Sequence, residues 1–102
     1  MDDKDLYAGL IRLHIFYHTA EEPIYGGGVM EELRRHGYEL SPGTLYPMLH
    51  GLERKGYLRS RRAREGNRMR RFYMNTPKGK SALRTGKKKV TEHFGELFEK
   101  PT

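Results

Sequence analysis

Ser41-Pro42-Gly43-Thr44-Leu45-Tyr46-Pro47-Met48-Leu49-His50-Gly51-Leu52-Glu53-Arg54-Lys55-Gly56 spells out a short helix with its start, its stop and its two faces. Ser41 is suited to cap the first-turn amides, and Pro42 stands at the first helical position, where no donor is needed. Gly56 supplies the left-handed residue that ends the helix. Between them Leu45, Met48, Leu49 and Leu52 fall at i, i+3, i+4 and i+7, the spacing that buries one stripe. The opposite face is unusual: Gly43, Pro47, His50 and Arg54 lie on it, with Thr44 and Tyr46 beside them. Pro47 removes an intrahelical hydrogen bond, at a typical cost of about 3 kcal/mol. Local rules of this kind are broken at functional or strained sites, which directs attention to that face.

The rest of the chain bounds what the helix serves. With 102 residues and 35% hydrophobic content, the sequence specifies one small domain with a modest core, so dimerisation is expected on physical grounds alone. The absence of cysteine removes disulfides and thiolate metal sites. No stretch resembles a secretory signal or a transmembrane run of about 20 apolar residues, so a soluble, cytoplasmic protein with no membrane partner is expected. The net charge of +7 is unevenly placed: residues 1–53 carry 4 Lys/Arg and 9 Asp/Glu, net −5, whereas residues 54–102 carry 16 and 4, net +12. Such placement suits a polyanion. Nucleic acid fits better than a membrane, because the basic residues fall on an expected hairpin as well as on a helix.

On the N-terminal side, the sequence from about Lys4 to His18 is apolar nearly all round. Leu6, Leu10, Leu13 and Tyr17 lie on one face and Ile11, Ile15 and Phe16 spill onto others, which predicts contact with the core and with a second subunit. Glu21-Glu22-Pro23 interrupts. A second helix then runs from about Gly26 to His36, with Val29, Met30 and Leu33 inward and Gly37 closing it. Gly26-Gly27-Gly28 is a weak helix start, costing about 1 kcal/mol per glycine relative to Ala. It implies either a frayed loop end or the close approach of another surface.

On the C-terminal side, Leu58 to Arg64 and Met69 to Asn75 read as two strands joined by Glu65-Gly66-Asn67-Arg68. On the second strand Phe72 and Met74 share one face, expected to cover the core, and Arg71 and Tyr73 share the other. Residues 54–71 hold nine Lys/Arg and one acid, Glu65, too one-sided for an ordinary solvated hairpin. Thr76-Pro77 starts a last helix reaching about Glu99. Its stripe of Ala82, Leu83, Val90, Phe94, Leu97 and Phe98 is longer than the core needs, which marks a dimerisation arm. Lys87-Lys88-Lys89 belongs on its solvated side.

Order and wording together resemble the PadR-like family of winged helix-turn-helix transcriptional regulators. Pro23-Ile24-Tyr25-Gly26 is similar to the family's lead-in to its second helix. Leu40 to Glu53 is similar to its most recognisable segment, and Gly66-Asn67-Arg68-Met69-Arg70-Arg71-Phe72-Tyr73-Met74-Asn75-Thr76-Pro77-Lys78-Gly79 to its wing and the start of its dimerisation helix. One departure stands out: family members commonly carry larger apolar or aromatic side chains where this chain has Gly27 and Gly28. The implied architecture is mainly α (α+β): three helices, a two-stranded wing and a long C-terminal helix. The DNA-binding domain would span residues 1–75 and the dimerisation helix residues 76–102.

The resemblance implies a homodimer that reads an inverted repeat in double-stranded DNA, its two recognition helices about 34 Å apart. Within that frame Ser41 and Thr44 suit phosphate at a helix N-terminus, and the Tyr46 hydroxyl can reach phosphate. Pro47 offers apolar contact to a thymine methyl, and His50 and Arg54 can reach a base edge or flanking phosphate. Tyr25, Arg61, Arg64, Arg68 and Arg70 join them as DNA contacts, with Asn67 or Arg68 probing groove width at the wing tip. The family's usual behaviour implies a repressor relieved by a small hydrophobic effector near the dimer interface. Tyr7, Leu10, Phe16, Tyr17, Val90, Phe94, Leu97 and Phe98 are the candidates for that interface.

Competing classes leave weaker traces. No nucleophile elbow or phosphate loop is present, so no catalytic residue and no cofactor is assigned. His14 and His18 sit at i, i+4, a spacing that can hold a transition metal with His93 from a dimer, but histidines without metal are the expected reading. The alternative is a basic architectural or RNA-binding protein without sequence preference. It has no use for paired recognition helices, and here only Tyr73 could serve as a stacking platform.

Overall fold

The computed structural model describes residues 7–98. Within them α1 (Ala8–Glu21), β1 (Ile24–Tyr25), α2 (Gly26–Arg35), α3 (Pro42–Arg54), β2 (Leu58–Glu65), β3 (Arg68–Asn75) and α4 (Pro77–Phe98) follow in chain order. The expected start of the first helix at Lys4, the end of the last at Glu99, and the Phe98 side chain lie outside the described residues.

Apolar spacing places the core where the sequence indicates. Leu45, Leu49 and Leu52 of α3 are buried together with Val29 and Leu33 of α2 and Ile11, Ile15 and Phe16 of α1, while Met48 and Met30 pack at the margin. The end of α3 is closed as its residues dictate. Gly56 adopts φ 87°, its amide donates to the Glu53 carbonyl at 2.9 Å, and the Tyr57 amide donates to that of Leu52 at 2.9 Å. This double bond pattern satisfies two of the last carbonyls and turns the chain into β2. At the head of α4, Thr76 Oγ1 accepts from the Gly79 amide at 3.1 Å, the expected cap before Pro77.

Five sequence expectations are corrected. Ser41 occupies the N-cap position of α3, with extended backbone, but its side chain does not cap. Its hydroxyl donates to Thr44 Oγ1 at 3.3 Å, and the Ser41 carbonyl receives the amides of Thr44 and Leu45 at 3.0 Å. The sheet has three strands, in the order β1-β3-β2, because Ile24 and Tyr25 pair with Tyr73 and Phe72. Two β residues ahead of a glycine run carry too little periodicity to signal a strand. The hairpin turns through Gly66-Asn67 alone, with Gly66 at φ 61°, while Glu65 and Arg68 still pair. A glycine with positive φ at the first central position is what a two-residue hairpin accepts.

The fourth correction is the face of β3. Tyr73 is 0% exposed and Asn75 is buried, whereas Phe72 and Met74 are half-buried on the opposite side. Polar chemistry decides this. Asn75 Nδ2 donates to the Phe16 carbonyl at 2.8 Å beside Thr19, whose hydroxyl donates to the Ile15 carbonyl at 2.7 Å. A buried amide with hydrogen-bond partners carries no desolvation penalty that would drive it outward. Phe72 instead meets the Tyr25 ring edge-on at 5.9 Å.

Helix α1 is also divided differently from the expectation. Ile11, Ile15, Phe16 and Thr19 face the core, and Leu10 and Tyr17 remain exposed. Phe16, expected at an interface, lies in the core with its ring 5.7 Å from that of Tyr57. The first half of α4 packs on α1 through Ala82, Leu83 and Gly86, where the Leu13 side chain fills the space a Cβ at position 86 would occupy.

Candidate nucleic-acid interface

Helix α3 and the wing flank one cleft. The outward face of α3 exposes Ser41, Pro47, His50 and Arg54, with Thr44 half-buried beside them. At its edge Tyr46, 36% exposed, tilts toward His50 with ring centroids 6.4 Å apart. The other edge of the Tyr46 ring lies over the start of α2: a Cβ built on Gly26 would stand 2.5 Å from Tyr46 Cε1 and 2.6 Å from its hydroxyl. Of the two readings of the glycine run, close approach therefore holds at Gly26. Tyr25, Gly26, Tyr46, Met69, Arg70 and Arg71 line a hollow of 210 Å³ between α2, α3 and the wing.

The wing arginines divide between two faces. In the β2–β3 register Ser60 opposes Tyr73, Arg62 opposes Arg71, and Arg64 opposes Met69, so these side chains share the face on which Tyr73 is buried near Glu53 and Tyr46 of α3. Arg61, opposite Phe72, and Arg70, opposite Ala63, share the other face. The sequence-chosen set of Arg61, Arg64, Arg68 and Arg70 thus mixes the two sides. Arg62 and Arg71 share the face of Arg64. Asn67 and Arg68 stand exposed at the tip, as expected of a hairpin end.

Two of these cations are already engaged. Arg70 lies over the Tyr25 ring, 4.1 Å from its centroid, and its Nε sits 3.0 Å from Glu65 Oε1, an ion pair without hydrogen-bond geometry. That clamp fixes Tyr25 and Arg70 as one wall of the hollow. Arg71 Nη1 donates to Ser60 Oγ at 3.0 Å, and Ser60 in turn donates its hydroxyl to Glu53 Oε2 at 2.7 Å and its amide at 3.2 Å. This chain of bonds ties the root of the wing to the last turn of α3 and so sets the angle between the two elements. Burial raises the Tyr73 phenol above its ordinary value; Arg71 opposes the shift, and Glu53 and Tyr46 add to it.

A second cluster lies away from this cleft, between α1 and the C-terminus of α2. His14 and His18 are one helical turn apart, as the sequence indicates, and the third member is His36. The His14 and His36 rings stack at 4.4 Å between centroids. Burial pushes the His14 imidazole below its ordinary value, and His36 and His18 push it further the same way. Sequence spacing could not signal His36, because α2 returns it to α1 only in three dimensions.

Next to this cluster, and sharing His14 with it, Leu10, Leu13, His14, Tyr17, Leu83, Lys87, Val90 and Thr91 line an apolar groove of 370 Å³ between α1 and α4. Tyr7, Leu10, Tyr17, Val90, Phe94 and Leu97 are exposed, and of these Leu10, Tyr17 and Val90 line the groove. No helix among the described residues is long and apolar enough to cross a membrane.

Helices α2 and α3 joined by residues 36–41, followed by a basic hairpin continuous with the core sheet, define a winged helix-turn-helix. Residues 15–85 match the transcriptional regulator PadR-like family, and the chain belongs to it. It is 42% identical over 95 residues to transcriptional regulator Rv3488 of Mycobacterium tuberculosis, covering 93% of this chain and 89% of that protein. Among solved structures, a PadR family transcriptional regulator from Eggerthella lenta superposes with a TM-score of 0.77 at 28% identity, covering 95% of this chain and 88% of that one. Bacillus subtilis PadR, solved in complex with operator DNA, shares the fold with a TM-score of 0.66 at 18% identity, over 74% of this chain and 44% of its own.

Proposed function

We propose that this regulator binds double-stranded DNA sequence-specifically as a homodimer, with α3 in the major groove and the wing along the backbone. The observation that carries the reading is the cleft itself. The exposed Thr44–Arg54 face of α3 and the Arg62, Arg64 and Arg71 side of the wing are held at one angle by the Glu53–Ser60–Arg71 hydrogen bonds. The uncapped N-terminus of α3 offers amides and the positive end of the helix dipole to a phosphate. His50 and Arg54, further along, reach toward base edges, and Tyr25, Tyr46, Arg61, Arg68 and Arg70 frame the contact. Residues 1–75 form the DNA-binding unit and residues 76–102 the dimerisation arm, whose exposed Val90 and Leu97 meet α1 and α4 of a second copy. Operator occupancy represses. A small hydrophobic effector in the groove between α1 and α4 relieves that repression by changing the spacing of the two recognition helices.

Selection of bound sequences from a random duplex library at about 150 mM salt tests the reading, because nonspecific phosphate attraction is already screened there. The expected result is an inverted repeat with half-sites about one helical turn apart, bound about 1,000-fold or more tighter than random DNA. Recovery of no motif, with binding that collapses as salt rises, would overturn it in favour of an architectural protein.

A further inference from the structure

We propose that His14, His18 and His36 form a binding site for a zinc-class divalent transition metal, with Glu32 as the carboxylate partner. One ligand nitrogen from each histidine lies within 4.8 Å of the other two. Tetrahedral zinc with bonds of about 2.0–2.1 Å holds its donors about 3.3 Å apart, so the rings, which stack on one another, must swing until their ring-plane lone pairs converge on one point. Both supporting elements favour that closure. His14 and His18 lie on one face of α1, and His36 stands at the C-cap of α2, where its backbone amide donates a hydrogen bond to the Leu33 carbonyl at 3.0 Å.

The cluster also lacks the partners that would explain it otherwise. His18 Nε2 is buried with no hydrogen-bond partner, and Glu32 Oε2, its nearest carboxylate oxygen, stands 3.9 Å away, beyond hydrogen-bond reach. The other oxygen, Oε1, is directed to Arg35 at 3.7 Å. A cation seated among the three imidazoles would take the orphaned nitrogen and draw Oε2 inward while leaving Arg35 on Oε1. The neutral imidazole is the form that ligates metal. Three nitrogens and a carboxylate suit Zn²⁺ or Co²⁺; they do not suit Mg²⁺ or Ca²⁺, which favour all-oxygen shells. The site lies on α1 and α2, away from the cleft, and does not depend on the DNA-binding reading.

The test uses the full chain, untagged and stripped with chelator. Titration with Co²⁺ is expected to give one ion per chain with the visible absorption of a tetrahedral site, displaced by Zn²⁺ and unaffected by excess Mg²⁺. His36→Asn, at an exposed side chain, should keep the circular dichroism of the parent and weaken Co²⁺ binding more than about 100-fold; Glu32→Gln should weaken it about 10-fold. No Co²⁺ uptake, or wild-type affinity retained in both His36→Asn and His18→Asn, would overturn the site and leave a packed aromatic cluster of His and Tyr rings.

Discussion

Helices α3 and α4 both carry an apolar stripe, and the molecule treats the two stripes differently. In α3 the stripe disappears into the domain, with Leu45 and Leu49 at 0% exposure, and the opposite face is left to Pro47, His50 and Arg54. In α4 only the first turns are covered, by α1; Val90 is 39% and Leu97 75% exposed. A stripe that the fold buries positions the face behind it, whereas a stripe that the fold leaves in water is itself a surface to be covered. In this chain the short helix is aimed by its apolar side and the long helix presents one.

The largest effect that separates the two is on stability. Leu49→Ala should lower the unfolding free energy by about 2–5 kcal/mol, read by chemical denaturation, because the site is closed on every side. A loss below about 1 kcal/mol would mean that α3 is not anchored as described. The paired change Val90→Glu and Leu97→Glu should leave the domain folded but monomeric by light scattering. Affinity for a palindromic duplex should then drop by more than about 100-fold, since two tethered half-site contacts become one. Unchanged dimerisation would remove α4 from the interface.

Three smaller changes sharpen the contrast within the cleft. Arg71→Ala should weaken binding to all duplexes alike and reduce the salt slope by about 1, as loss of a phosphate contact does. Arg70→Ala should reduce the slope less, because Glu65 and the Tyr25 ring already hold that cation. Ser41→Ala should cost less than about 0.5 kcal/mol of stability, below the usual loss of an N-cap, since its hydroxyl bonds Thr44 rather than a backbone amide.

Much of this architecture was legible in the residues. The caps at Gly56 and Thr76, the Leu45–Leu52 stripe and the basic hairpin are local signals in which one or two side chains decide the outcome. The failures have a common cause in distant partners. Asn75 is held inward by a bond to the Phe16 carbonyl, 59 positions away, which no local pattern contains. Alternation alone puts Phe72 and Met74 on the core side, whereas Tyr73 and Asn75 are the buried pair. Ile24 and Tyr25 form a strand only because β3 is there to pair with them. His36 joins His14 and His18 across two helices, a juxtaposition that no spacing rule along the chain contains.

The contact between Gly26 and Tyr46 reaches beyond this molecule. The two residues stand on different helices, yet the ring of one occupies the volume that any side chain on the other would need. The two positions are therefore sterically coupled. A lineage that acquires a methyl at position 26 must first trim or turn the aromatic at position 46, and one that loses the aromatic is freed to fill position 26. Across relatives the pair should vary together, and the order of the two replacements in any ancestry should not be random.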